Sequence, residues 1–367
     1  MDAFRAWRDE VGATDALKVA RVGVGLFLFY HAVRAAQELA ARGYFGDVFH
    51  LALIPEHLVA SQLVYLVIVI AQILLSVCIT VGLHPRPALL LVSLLGFYVI
   101  LCDGMQLHNN RYALLCFGFL LSFAPCGAER TGLLWAQRLV QVQLSVIYLA
   151  SGISKWLDAD WRAGLFINTG MIRSAYKALG YGVPEVLANF MMKPELSGGL
   201  AKFAIASELF LAIGLWRRRT RVFALWWGTL FHLTIQIFNN VEIFTWLMLT
   251  IYALFATPDY RARKLYYDSA QSSARLLVHL IAMFDWLARF EISAWKTEDG
   301  NPAPLLLVVE RDGAKAQGGA AAAAVARCIP LLFPLWFPLA FIAWSKDRLA
   351  VPAGPASEKQ SLGERIL

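Results

Sequence analysis

Long apolar stretches, each followed by a short polar segment, recur along this chain of 367 residues. A helix needs roughly twenty mostly apolar residues to cross a bilayer. The stretches that reach or approach this length are 17–37, 58–83, 87–105, 112–124, 139–154, 200–216, 222–238 and 243–256. Hydrophobic residues make up 59% of the chain and charged residues only 16%, which is too apolar for a soluble domain. The sequence therefore predicts an all-α integral membrane protein, a polytopic bundle of about eight or nine transmembrane helices with additional interfacial helices.

The basic residues lie mainly in short loops between the apolar stretches. The densest group, 217–221, joins the sixth and seventh predicted spans and is therefore expected in the cytoplasm. Counting spans in both directions places the N-terminus, Arg86 and the basic residues at 261–264 on the same side. The net charge of +7 is explained by this topology, so we expect no nucleic-acid partner.

The chain divides by composition into four parts. Residues 1–260 are expected to form the transmembrane bundle, with interfacial helices between 160 and 197. Residues 261–327 read as a cytoplasmic linker or small appendage with an amphipathic apolar segment, too short for its own core. The proline-rich stretch 328–345 is expected to be a broken span or an interfacial segment, and 346–367 a disordered polar tail.

Polar side chains from several predicted spans fall in the non-cytoplasmic half of the bilayer. They are His31, His108, Asn109, Asn110, Lys155, Glu208, His232, Gln236 and Asn239. Ionisable groups in a membrane are costly and often functional, and low dielectric favours the neutral amine in which a lysine acts as a base. Other readings stay open: the histidines as caps, Glu208 as a structural partner of Lys202 or Arg34, and Lys155 as a membrane anchor. The five cysteines contain no CxxC pair, and we expect no metal.

One short run carries a resemblance to a known family. Residues 148–164 read YLASGISKWLDADWRAG, which closely resembles the signature of the vitamin K-dependent γ-glutamyl carboxylase superfamily. The bacterial members of that superfamily are called the HTTM (horizontally transferred transmembrane) domain. A second similar block is Phe231-His232 followed by Phe238, Phe244 and Met248-Leu249, and a weaker one is Asn109-Asn110-Arg111-Tyr112. The resemblance covers roughly residues 15–260.

The resemblance implies an enzyme that uses Lys155 as a general base toward a lipophilic hydroquinone. In the carboxylase the matching lysine deprotonates reduced vitamin K, which reacts with O2, and CO2 is added to a glutamyl acceptor. We therefore expect a reduced vitamin K or menaquinol-like hydroquinone and O2 as reactants, with CO2 and a peptide or protein acceptor as further candidates. His232 is the next candidate for catalysis. Asp158 and Asp160 are expected to orient Lys155 or cap the motif, with Trp161 beside them.

The chain also departs from the family, which leaves alternatives. The resemblance implies a histidine where this chain has Asn110, and the large extramembrane domain of the animal enzyme has no counterpart. Chemistry on the quinone itself is therefore favoured over peptide carboxylation. Residues 306–341 faintly resemble the end of a DCC-type thiol oxidoreductase without its catalytic cysteines, and such a protein is a candidate partner. The competing hypotheses are a non-enzymatic membrane assembly or export-accessory protein and a transporter, the latter disfavoured by the lack of an internal repeat. The expected location is the bacterial cytoplasmic membrane, with the active site on its non-cytoplasmic side.

Overall fold

The apolar stretches fold into helices, so the predominantly helical fold that the sequence predicts is confirmed. The computed structural model describes residues 5, 7–46, 48–180, 182, 184–217, 219–239, 241–255, 263–285, 289–295, 305–310 and 313–349. The chain divides into two compact units, Met1–Thr257 and Pro258–Leu367, and each is described by itself.

Helices make up most of the first unit. In chain order its elements are β1 (Val11–Ala13), α1 (Asp15–Arg42), α2 (Gln62–Val81), α3 (Pro85–Cys102), α4 (Asn109–Leu121), β2 (Thr131–Leu133), α5 (Trp135–Leu157), α6 (Ala159–Ala163), α7 (Leu165–Gly180), α8 (Glu185–Met191), α9 (Pro194–Gly214), α10 (Arg221–Asn239) and α11 (Phe244–Tyr252). Short 3-10 helices at Glu56–Leu58, Gly104–Gln106 and Ala253–Phe255 lie between them. β1 and β2 pair antiparallel and so join the starts of α1 and α5.

Within the described residues, four helices are long and apolar enough to cross a membrane, namely α1, α2, α3 and α9. Their ends follow from local sequence. α2 begins where Ser61 Oγ accepts a hydrogen bond from the Val64 amide, and it ends at Gly82, whose φ of 86° is left-handed. α3 starts with Pro85, at a position where the missing N–H of proline leaves no hydrogen bond unmade.

The remaining predicted spans correspond to helices that are shorter or more polar. α4 has 13 residues and α11 has 9, while α10 has 19. α5 has 23 residues but carries Arg138 near its start and Lys155 in its last turn. The count of eight or nine transmembrane helices therefore stays a prediction.

Close packing between α5 and α9 positions the polar residues described below. Gly152 on α5 faces α9, and a Cβ placed there would lie 2.9 Å from Leu209 Cδ2. A larger residue would push the two helices apart, because atoms do not normally approach this closely. The glycine thus brings Glu208, the neighbour of Leu209, against α5.

Helices also form where the sequence predicts interfacial elements between 160 and 197, as α6, α7 and α8. Gly164 separates α6 from α7 in a left-handed conformation with φ 82°. A Cβ at this position would lie 2.5 Å from the backbone nitrogen of Gly198, so glycine is required both by conformation and by space.

A four-stranded sheet in the second unit corrects the expectation of a linker too short for its own core. The described elements are β3 (Arg263–Tyr267), α12 (Ser272–Phe284), β4 (Phe290–Ala294), β5 (Leu306–Val309), β6 (Lys315–Gln317), α13 (Gly318–Cys328) and α14 (Trp336–Leu349). The strand order is β4-β3-β5-β6, with β3 and β4 parallel and the other pairs antiparallel. Leu265, Val308 and Val325 belong to a buried cluster that closes over this sheet.

The break predicted in the proline-rich stretch is present. α13 ends at Cys328, a 3-10 helix covers Pro330–Leu335, and α14 begins at Trp336. Proline at successive turns removes backbone donors, so one continuous helix cannot form there. The predicted tail after 349 lies outside the described residues.

Candidate active site

Lys155 lies in the last turn of α5 and forms a partly buried ion pair with Glu208 of α9. Its Nζ is 2.5 Å from Glu208 Oε1, and it donates a second hydrogen bond of 2.6 Å to Ser151 Oγ. Ser151 also donates to Glu208 Oε1, at 3.1 Å. The lysine side chain is 19% exposed and the glutamate side chain 8%. Glu208 therefore pairs with Lys155, rather than with Lys202 or Arg34.

The aromatic ring of Trp161 covers the other side of the ammonium group. Lys155 Nζ lies 5.0 Å from the centre of that ring, a cation–π distance. Trp161 is held in the short helix α6, whose N-cap is Asp158. The Asp158 carboxylate accepts hydrogen bonds from the backbone amides of Asp160 (2.8 Å) and Trp161 (3.1 Å). Asp158 thus caps the helix that presents Trp161, while Asp160 is exposed to solvent.

A chain of buried hydroxyl and imidazole groups lies on the same face of α5. Tyr148 Oη is 2.6 Å from His232 Nε2 on α10 and 2.5 Å from Tyr252 Oη on α11. The three residues are between 1% and 4% exposed. Tyr148 and Lys155 are seven residues apart on one helix, so they share a face about two turns apart. Neither tyrosine is among the site residues predicted from the sequence, and the seven-residue spacing on α5 is a signal for Tyr148 alone.

Two polar atoms of this region, Glu208 Oε2 and His232 Nδ1, are buried and have no hydrogen-bond partner in the described part of the chain. His31 Nε2 on α1 is also buried without a partner there, but the charges that act on His31 are those of Arg111, His108 and Arg34. Orphaned buried polar atoms cost free energy, and native proteins usually supply them with water or a ligand. The second oxygen of Glu208 is therefore an unused acceptor directly beside Lys155.

An apolar cavity of about 270 Å³ lies between α7, α9 and α10. Its lining includes Met171, Phe203, Trp227 and Phe231. Trp227 Nε1 donates a 3.0 Å hydrogen bond to Ser207 Oγ, which directly precedes Glu208. Phe231 directly precedes His232. The lining therefore includes the neighbour of His232, and it reaches the neighbour of Glu208 through the hydrogen bond from Trp227.

Other predicted site residues lie elsewhere. His108 lines a second cavity with Asp103 and Gln106. Asn110 donates a 3.2 Å hydrogen bond to the Val241 carbonyl, and Asn109 is exposed. Gln236 lies one turn from His232 on α10, and the side chain of Asn239 lies outside the described residues. No group of three or more His, Cys, Asp or Glu side chains that could hold a metal ion occurs in the described ranges.

Comparison with known proteins places the chain in a family. No curated protein and no solved structure matches it. Residues 12–260, which include every member of the Lys155 and Tyr148 groups, match the HTTM domain. The matched region contains every helix of the first unit from α1 through α11. The chain therefore belongs to the HTTM domain family.

Proposed function

We propose that this protein is a membrane-embedded enzyme in which Lys155 acts as the general base toward a lipophilic hydroquinone that reacts with O2. The observation that carries the proposal is the Lys155–Glu208 pair, 2.5 Å apart and largely withdrawn from water. The HTTM family is linked to the vitamin K-dependent carboxylase superfamily, which supports this choice of chemistry.

The residues present fit a hydroquinone with an isoprenoid tail. The apolar cavity beside Ser207 and Phe231 suits a hydrocarbon chain arriving from lipid, since it is lined almost entirely by apolar and aromatic side chains. Glu208 Oε2 and His232 Nδ1 are unpartnered acceptor or donor atoms for ring hydroxyls. When bound, the hydroquinone would supply four electrons to O2, two by its oxidation to the quinone and two by epoxidation of its ring double bond, so that one oxygen atom ends in the epoxide and the other in water.

In this conformation Lys155 is an ammonium donor, so its use as a base requires a proton shift. The 2.5 Å contact to Glu208 offers the route, because the proton can pass to the carboxylate and leave a neutral amine. Burial disfavours both charged groups, which brings the neutral pair closer in free energy than it would be in water. Glu208 therefore serves as the proton store that makes a neutral Lys155 accessible.

The Tyr148–His232–Tyr252 chain is a second polar group about two turns along α5, and no hydrogen bond of the described residues joins it to Lys155. Each contact is short enough for proton exchange between neighbouring oxygen and nitrogen atoms. We assign it proton handling for the substrate through His232.

The test is turnover of reduced menaquinone or vitamin K hydroquinone by purified protein under O2, with the epoxide quantified by chromatography. We expect epoxide from the unaltered protein and a loss of at least about a hundredfold in Lys155→Ala, the scale of one general base. Lys202→Ala is the matched control, because Lys202 is an exposed lysine on α9. An unaltered protein that is folded but makes no epoxide would overturn the proposal. Full biological activity of Lys155→Ala would instead support the assembly or export-accessory hypothesis.

We propose in addition that the N-terminus faces the cytoplasm and the Lys155 end of α5 faces the opposite side. The basic segment between α9 and α10 carries this orientation by the positive-inside rule. Labelling of single cysteines introduced at Asp160 and at Thr220 with a membrane-impermeant thiol reagent in intact bacterial cells tests it. Labelling at Asp160 alone is expected, and labelling at Thr220 alone would reverse the topology.

A further inference from the structure

A second cavity, of about 180 Å³, lies between α1, α2 and the connection from α3 to α4. None of its lining residues lies on α5, α9, α10 or α11, the helices that carry the Lys155 and Tyr148 groups. Its lining residues are Glu38, Leu39, Arg42, Gly43, Phe45, Tyr65, Asp103, Met105, Gln106 and His108. The hydroquinone chemistry proposed above does not use this cavity.

Two deeply buried oxygen groups that belong to no ion pair of the described residues line this cavity. Asp103 is 3% exposed, and no basic side chain of the described chain lies within salt-bridge distance of it. Its Oδ1 accepts one backbone hydrogen bond, from Met105 at 3.0 Å. Tyr65 is 2% exposed, and its hydroxyl has no hydrogen bond in the described residues. Burial raises the pKa of the Asp103 carboxyl, although hydrogen bonds from the Met105 amide and the Gln106 side chain and the charge of Arg111 act to lower it.

The nearest buried cation, Arg111, forms no ion pair with Asp103 among the described residues, although its charge acts on both Asp103 and Tyr65. Arg111 is 6% exposed and donates a hydrogen bond to Gln106 Oε1. Gln106 Nε2 in turn donates to Glu38 Oε2 at 3.3 Å, and Glu38 also pairs with Arg34 at 3.7 Å. These hydrogen bonds hold Gln106 in place. The buried lining of the cavity then presents the oxygen atoms of Asp103 and Tyr65. The basic lining residues, Arg42 and His108, are exposed at its rim.

We propose that this cavity binds a primary ammonium group, with Asp103 and Tyr65 accepting its hydrogen bonds and Arg42 facing an attached phosphate. A primary ammonium has three donors and a positive charge, which satisfies the unpaired carboxylate and the free phenol oxygen together. The ethanolamine headgroup of phosphatidylethanolamine and a free phosphoethanolamine share this chemistry. The choline headgroup does not, since its quaternary nitrogen carries no N–H donor.

Native mass spectrometry of the full-length protein released from detergent tests the proposal. The probes are dioctanoyl-phosphatidylethanolamine, dioctanoyl-phosphatidylcholine and free phosphoethanolamine, each at equal concentration. We expect the ethanolamine lipid to bind about tenfold better than the choline lipid, the equivalent of one charge-assisted hydrogen bond. Competition by free phosphoethanolamine would identify a soluble amine as the ligand, and its absence would identify the lipid.

Variants separate a binding role from a structural one. Asp103→Asn keeps the acceptor for the Met105 amide but removes the charge, and it should abolish the preference for ethanolamine. Tyr65→Phe removes a hydroxyl that bonds no described residue, so the protein should fold normally yet lose roughly fivefold in affinity. Tyr98→Phe is the control, because the Tyr98 hydroxyl donates to the Leu58 carbonyl at 2.8 Å instead. Equal binding of both lipids, or unchanged binding by Tyr65→Phe, would overturn the proposal.

Discussion

Removing one member of the Lys155–Glu208 pair should destabilise the protein far more than removing both. Either single change leaves an uncompensated charge in a site where the side chains are 19% and 8% exposed. Two unit charges about 4 Å apart attract by about 4 kcal/mol at an effective dielectric constant near 20. We therefore expect Lys155→Met and Glu208→Gln each to lower the free energy of unfolding by about 3 kcal/mol. The double variant should recover most of that loss.

A double-mutant cycle isolates the pairwise part, since the separate desolvation costs of the two residues cancel. We expect a coupling free energy of about 5 kcal/mol, because the two single losses of about 3 kcal/mol each far exceed the small loss of the double variant. It is measured by reversible denaturant unfolding in detergent micelles, followed by circular dichroism. Lys18 and Asp15 provide the matched control, because they form a 3.3 Å pair with the Asp15 side chain 81% exposed. That surface pair should couple by less than about 0.5 kcal/mol. A Lys155–Glu208 coupling as small as the control value would refute the view that burial makes this pair strong.

The same variants also distinguish a loss of stability from a loss of catalysis. If Lys155 is the base, the stable double variant should still form no epoxide from hydroquinone and O2. Recovery of turnover together with stability would mean that the pair only holds α5 against α9.

Further predictions concern the residues around the pair. Tyr148→Phe removes the hydroxyl shared by His232 and Tyr252 and should cost about 1–3 kcal/mol of unfolding free energy. Gly152→Val should lower both the midpoint of thermal unfolding and turnover, since even a Cβ there lies 2.9 Å from Leu209. Gly199→Ala is its control on α9, with no atom within 4 Å of the added carbon. Asp158→Ala should cost about 0.5–2 kcal/mol through loss of the N-cap of α6, while Asp160→Ala should be neutral in the same assay.

Helix positions were predictable in the first unit because apolar length is a strong local signal. Ser61, Gly82 and Pro85 mark helix ends by chemistry that can be read without the fold. The number of transmembrane helices is harder to predict from the sequence. α5 and α10 carry polar residues that face the interior, and such residues lower the mean hydropathy by which spans are recognised.

The sheet of the second unit could not be predicted from the sequence, for a different reason. β3 and β4 are parallel strands joined through α12, so their pairing depends on contacts between segments about 25 residues apart. Each strand has at most five residues, which is too few for alternation to give a clear signal. The resemblance to the end of a thiol oxidoreductase pointed to 306–341, and the β-α-β segment before it became visible only in the structure.

Partners of single polar residues were also only partly predictable. The motif identified Lys155, but Glu208 lies 53 residues later on another helix, and its pairing depends on how α5 and α9 pack. Tyr252 lies still further away, and nothing local distinguishes it from an interfacial tyrosine. His108 and Lys155 looked like parts of one outer site, yet His108 lines the cavity between α1 and α2.

The geometry gives three residues of the 148–164 run a structural task, and this bears on the role of Lys155. Gly152 allows α9 to pack closely against α5, and Asp158 caps α6. Gly164 allows the left-handed turn that lies against Gly198. These tasks together hold Trp161 and Glu208 on two sides of one ammonium group. A buried ion pair is poor at stabilising a fold, since apolar residues of similar volume often do as well or better. An arrangement that surrounds a lysine at such a position is what the proposed proton transfer requires, and turnover by the stable double variant tests it against a purely structural role.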